Sequence, residues 1–423
     1  MTFRHALAAS VLALVVLAGA ASGASLRAQV APEAAEDLRL LVRELETLHP
    51  NPYHTVSRAN FQRAVDDLIA RLPQLDENQV LVELMRLLVL GDRDGHSGVG
   101  PGGHGRVLHR YPLRLYYFAD GLHVVRARGV PGAVGSKLIA VGGVPLAEVE
   151  AKVRPLVSGD NDWSRRAVMP GVLVTAEVLH GLRIIQSTGP ATFTLESRTG
   201  QRRDVTLRTM TTHGYDSVLG QFWQPPVRPG LPPKRLQASL RYADHARYIT
   251  TIDRGRAVYF AYNQSIQHTY ELTEKLKRLL RNRRVKRLIV DVRRNGGGNN
   301  TRYRDLMAFL QSPTVNRPGK LVVLIGRLTF SAAQNFINEL ERTTNVVFVG
   351  EPSGGSPNHY SNGDPIELPT LRLRPRTSTG YIQDSRPDDP RVAIEPHVRV
   401  DVTSADFMAR RDRVLRAAVQ LRR

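Results

Sequence analysis

Arg287-Leu288-Ile289-Val290-Asp291-Val292, followed at once by Arg293-Arg294-Asn295-Gly296-Gly297-Gly298-Asn299, is the stretch on which the fold turns. The apolar run is short, rich in branched side chains and unbroken by polar alternation, the pattern of a strand buried on both faces. The glycines behind it let the backbone turn sharply and present bare N–H groups. Two later stretches repeat the plan. Leu321-Val322-Val323-Leu324-Ile325 leads to Leu328-Thr329-Phe330-Ser331-Ala332-Ala333-Gln334, and Val346-Val347-Phe348-Val349 leads to Gly350-Glu351-Pro352-Ser353-Gly354-Gly355-Ser356-Pro357-Asn358. Ala257 to Tyr262 adds a strand, Glu271 to Arg284 an amphipathic helix, and a further helix runs from about Ser331 to Arg342. This alternation over residues 245–423 predicts an α/β core with a mostly parallel sheet covered by helices, and sites gather at the carboxyl ends of such strands.

Upstream the pattern changes twice. Within residues 31–108, Leu38, Leu41, Leu45 and Leu48 recur at helical spacing, and further helical patterns run from Asn60 to Leu72 and from Asn78 to Leu90. This N-terminal helical domain ends in the turn Gly91-Asp92-Arg93-Asp94-Gly95-His96-Ser97-Gly98. Residues 111–210 carry short alternating runs such as Leu113 to Phe118 and Leu122 to Val125, parted by Gly and Pro, which predicts a β-rich unit with a strand pair around Thr199-Gly200. Residues 211–244, with Gln224-Pro225-Pro226 and Leu231-Pro232-Pro233, read as a linker. Residues 1–28 have the three-part layout of a secretory signal: Arg4 and His5, an apolar run from Ala6 to Gly19, then small residues with cleavage sites after Ala24 or Ala28. The chain is therefore expected to be exported, periplasmic or extracellular, and membrane-tethered only if that segment stays uncleaved.

Composition narrows the chemistry. With no cysteine among 423 residues, disulfides, thiol catalysis and thiolate metal sites are excluded. The net charge of +20 suits an anionic partner in principle, but the arginines are spread along the whole chain and aromatics are 6%, so nucleic acid is not the expected partner. The densest basic stretch, Arg278 to Arg287, reads as the solvated end of a helix.

The three strand ends carry the candidate chemistry. The Gly296-Gly297-Gly298 turn reads as half of an oxyanion hole or as a plain strand-to-helix turn. Ser331, between a buried strand and a helix, reads as an N-cap or as a nucleophile raised on that turn, with the Ala332 N–H as an oxyanion donor. The third end is suited to closing over the same site.

In order and wording these segments resemble the C-terminal-processing (tail-specific) serine peptidase superfamily, and the resemblance extends over residues 245–415. It implies a crotonase-like core, a PDZ-like domain at 111–210 and Ser331 as nucleophile, with Gly297 and Ala332 holding the oxyanion. Processing proteases use a lysine base in the third segment, but Ser356 stands there and no lysine follows Lys320. Asp94-Gly95-His96-Ser97 is instead similar to the histidine turn of the tricorn-like branch, which makes His96 the expected general base, with His359 as its rival. Asp384 is the expected third member, Asp388 and Asp389 being alternatives; the tricorn-like branch uses a glutamate in this region. The expected activity is that of an exported serine endopeptidase acting on peptide or unfolded protein, with no cofactor and no metal. The alternatives are an inactive peptide- or small-ligand-binding member of the same fold and an esterase.

Overall fold

The computed structural model describes residues 30–91, 94–99, 106–220 and 246–421. The expected signal segment lies outside these residues, and so does most of the expected linker. Three helices come first: α1 (30–48), α2 (Arg58–Arg71) and α3 (Glu77–Gly91). Leu38, Leu41 and Leu45, spaced to share one face of α1, are all buried. The Ser57 hydroxyl caps α2 by accepting the N–H of Asn60.

An antiparallel sheet follows, built from β1 (Leu113–Phe118), β2 (Gly121–Ala127), β3 (Lys137–Val141), β4 (Val144–Pro145), β5 (Ala191–Glu196) and β6 (Arg202–Leu207). Its strand order is β1-β2-β3-β5-β6, with β4 paired to β3, and β5 and β6 flank the Thr199-Gly200 turn. Between β4 and β5 the chain is helical where a strand-and-turn pattern was expected: α4 (Leu146–Val153), α5 (Asp162–Val172) and α6 (Ala176–Gly181). The start of α5 is set locally. The Asn161 side chain accepts the N–H groups of Trp163 and Ser164, and Ser164 returns a bond to the Asn161 backbone. The first part of the expected linker is also helical, as α7 (Thr212–Leu219), because Thr211 caps it through the N–H of Gly214. One continuous apolar cluster joins α1–α3 to this sheet, with Leu41, Phe61 and Leu84 on one side and Leu113, Val124 and Phe193 on the other.

The second sheet holds β7 (Arg247–Ile252), β8 (Ala257–Tyr262), β9 (Arg287–Asp291), β10 (Leu321–Ile325), β11 (Val347–Gly350) and β14 (Val398–Arg399). Its order is β14-β11-β10-β9-β8-β7, and every pair is parallel except β7 with β8. Alternate residues serve opposite faces. Val258, Phe260, Leu288, Val290, Val323 and Ile325 pack against α8 (Tyr270–Leu280), α9 (Arg304–Gln311) and α10 (Ala332–Thr343). Ala257, Tyr259, Ile289, Val322 and Leu324 pack against α12 (Arg413–Gln420), which follows the short α11 (Ser404–Met408). Both faces are covered, which explains the unbroken apolar runs of the sequence. A hairpin of β12 (Asn358–Ser361) and β13 (Gly380–Gln383) lies between β11 and β14 in the chain. Asp291 pairs with Leu324, and Ile325 with Gly350, so the three glycine-bearing strand ends finish level at one edge. Among the described residues no helix is long and apolar enough to cross a membrane.

Candidate active site

Thr329 stitches the three strand ends together. Its hydroxyl donates to the Val292 carbonyl at 2.9 Å and accepts the Gly326 N–H at 3.1 Å. Its carbonyl accepts the N–H groups of Gly354 and Gly355. The Phe330 N–H donates to the Asn295 carbonyl at 3.1 Å, which fixes the glycine turn beside the next residue, Ser331.

Ser331 does not cap α10: its side chain makes no capping bond, and the helix begins at Ala332. Its backbone has φ +54° and ψ −127°, a conformation L-residues seldom adopt. Strain of this kind, at a strand-to-helix turn, is how α/β-hydrolases lift a nucleophilic serine clear of the backbone. The lifted hydroxyl lies 3.1 Å from Nε2 of His96, 235 positions away in the sequence.

The His96 turn is organised by the carboxylate of Asp94. Its Oδ1 accepts the N–H of His96 at 2.7 Å, the N–H of Ser97 at 2.9 Å and the hydroxyl of Ser378 at 2.8 Å. Its Oδ2 accepts the Ser97 hydroxyl at 2.9 Å and faces Nε2 of buried His49 at 3.4 Å. Antiparallel bonds between Gly98 and Arg376 hold the far side of the turn. The ring of Phe330 packs on the imidazole, with centroids 4.6 Å apart.

Burial pushes the His96 imidazole down to about 4, and the neighbouring His359 adds to the fall, while the Asp94 charge and the Tyr360 backbone oppose it. It is His96, not His359, whose ring nitrogen lies within hydrogen-bond distance of the Ser331 hydroxyl. His359 stacks on His96 with centroids 6.2 Å apart, and its Nδ1 is within hydrogen-bond distance, 3.0 Å, of the Ser356 carbonyl. Ser356, at the position where the resemblance would place a lysine, donates its hydroxyl to the Val392 carbonyl at 2.9 Å.

One expected assignment is corrected by the geometry. Asp384 does not reach the imidazole. Its Oδ2 accepts from Asn335 at 3.1 Å and Asn338 at 3.2 Å, and its other oxygen pairs with Arg342 at 3.0 Å. Asp389 is bound to Arg391 and Ser385, and Asp388 is exposed beside Arg386. Nδ1 of His96 is buried with no side-chain partner; the backbone of Tyr360 lies beside the ring. Gly297 lies tightly against the Ser331 turn, since a Cβ there would sit 2.6 Å from Cβ of Ser331 and 2.9 Å from N of Ala332. Its own N–H, however, donates to Asn295 Oδ1 at 3.0 Å, in the two-residue loop that asparagine favours. The Ala332 N–H, first in α10, lies beside Gly297, and no backbone acceptor takes it among the described residues.

Asp94 had no expected role, although an Asp two residues before a histidine is a recognisable backbone-binding turn. Asp160 had none either, and its two oxygens reach separate loops. Among the described residues no group of three or more His, Asp or Glu is placed to hold a metal ion.

No protein-family model and no curated protein sequence matches the chain. Solved structures share its fold. It is similar to mature CPAF complexed with lactacystin, with a TM-score of 0.59 and 13% identity over 90% of this chain and 96% of that one. A CPAF mutant gives a TM-score of 0.60 and 12% identity over 93% and 99% of the two chains. Mature CPAF alone gives 0.58 and 14% over 90% and 95%.

Proposed function

We propose that this chain, which has the fold of CPAF, is a serine peptidase of the C-terminal-processing superfamily that forms an acyl-enzyme on Ser331 with His96 as general base. The observation that carries the reading is the 3.1 Å contact between Nε2 of His96 and the hydroxyl of a backbone-strained Ser331. His96 takes the hydroxyl proton as Ser331 attacks an amide carbonyl, then returns it to the leaving amine. The oxyanion forms against the Ala332 N–H, a contact typically worth ~3 kcal/mol. Gly297 walls the same side and joins as donor if it releases Asn295. Water then enters, His96 removes its proton, and the acyl-enzyme is hydrolysed. No cofactor has a part in these steps.

Residues 245–423 form the crotonase-like catalytic domain, 31–108 the helical domain that delivers His96, and 111–210 a PDZ-like unit able to pair with an extended peptide. Segment 211–244 is the linker, and 1–28 directs export to the periplasm or beyond. The substrate is a peptide or an unfolded protein.

A fluorophosphonate probe tests the assignment. Labelling of the wild type should disappear in Ser331→Ala and fall by about 100-fold or more in His96→Ala, the usual scale of a general base. The lack of a side-chain partner on Nδ1 of His96 favours a second reading, a binding protein with its chemistry lost. Folded wild type that takes up no probe would establish that alternative. Turnover of esters without turnover of peptides would make the protein an esterase instead.

A further inference from the structure

Resting on the assignment of Ser331 and His96, we propose that Asp160 is the positioning residue that clamps the His96 turn to the third strand end and thereby holds the imidazole on Ser331. Asp160 belongs to neither of the segments it joins; it sits in the loop just ahead of α5. Its Oδ1 accepts the N–H of Gly95 at 2.7 Å, one residue before His96. Its Oδ2 accepts the N–H of Ser356 at 3.1 Å. The loop is itself fastened to the core: Asn161 Nδ2 donates to the carbonyls of Ser353 at 3.1 Å and Val392 at 2.6 Å. The fit on the other side is equally close. A Cβ on Gly95 would stand 2.8 Å from Asp160 Oδ1 and 2.5 Å from the ring of Phe330, the residue before Ser331. Any slackening at Asp160 therefore shifts the base relative to the nucleophile.

Both oxygens face N–H donors, so the clamp needs an ionised carboxylate. A protonated carboxyl would direct its own O–H at one of those donors and lose that bond. Asp94 faces Asp160 from the His96 turn and Arg165 from α5, while the third strand end contributes the Ser356 N–H. Burial and the Asp94 charge push the carboxyl up to about 7, against the two N–H bonds and Arg165. The clamp is complete above that pH and weakens as pH falls through it. His96 itself protonates only near 4, so the two events are separate.

The test is the bond-forming rate of the fluorophosphonate probe with the full chain, read from about pH 5 to about pH 8.5 and separated from the probe's binding constant. The wild-type rate should fall about ten-fold as pH drops through 7, without loss of probe binding. Asp160→Asn, which cannot titrate, should be about ten-fold slower than wild type at high pH and level across that range. Circular dichroism checks its fold, and Asp160→Ser replaces it if it fails to fold. A variant with the wild-type rate, or one that keeps the fall near 7, overturns the clamp and leaves the Ser331 assignment standing. Folded wild type unlabelled at every pH overturns that assignment, and the clamp with it.

Discussion

His96 receives opposing influences. Its ordinary value is 6.5, and burial beside His359 brings it to about 4 in the folded chain. The imidazole is therefore neutral throughout the physiological range. An unfolded chain takes up this proton first as pH falls, so the stability tied to the neutral imidazole is whole above about 6.5 and is lost as pH falls to about 4. His359→Gln removes a neighbouring positive charge at low pH and should move the His96 titration upward, as followed by NMR of its ring protons. A titration that stays in place would mean that burial alone sets it. Asp384 shows the limit of reading residues singly. Nothing in the stretch Tyr381 to Asp389 says which carboxylate meets an imidazole, and Asn335, Asn338 and Arg342, all on α10, claim Asp384.

At the scale of elements, the site is the common end of three parallel strands. Their apolar runs and glycine punctuation were legible because strands buried on both faces can carry no other pattern. Why they meet as they do was not legible, because much of the fastening runs through one residue: the Thr329 hydroxyl binds the end of β9 and the turn after β10, and its carbonyl binds the loop after β11. Thr329→Val keeps the shape and removes the hydroxyl, leaving the buried Gly326 N–H and Val292 carbonyl without it. Urea unfolding should show a loss of about 1–3 kcal/mol. Probe labelling should fall with it, since Ser331 is two residues on. Wild-type stability and labelling together would show that the strand ends align without this bond.

The whole molecule decides whether the His96 imidazole meets Ser331. Among the described residues, two of the connections that join the antiparallel unit to the core lie near the site. One is Asp160 with Asn161. The other is Arg327, whose guanidinium pairs with Glu351 through two bonds of 2.8 and 2.6 Å and donates to the Tyr117 carbonyl at 3.0 Å. Glu351 and the Tyr116 ring hold that guanidinium well above the usual arginine range despite its burial. Arg327→Met strands Glu351 and should cost about 3–5 kcal/mol in denaturant unfolding. An unchanged midpoint would show that Glu351 finds another partner.

Taken alone, the sequence determined the strand-and-helix alternation of the core, the three glycine-marked turns and the residue types at Ser331 and His96. Periodicity and turn chemistry act over a few residues, and there they leave few choices. Only the tertiary structure decided what meets what: that His96 reaches Ser331 across 235 positions, that Asp384 turns to α10, that Asn295 occupies the Gly297 N–H, and that Asp160 spans two loops. Such pairings are set by the packing of whole elements, and a carboxylate binds whichever donor that packing presents.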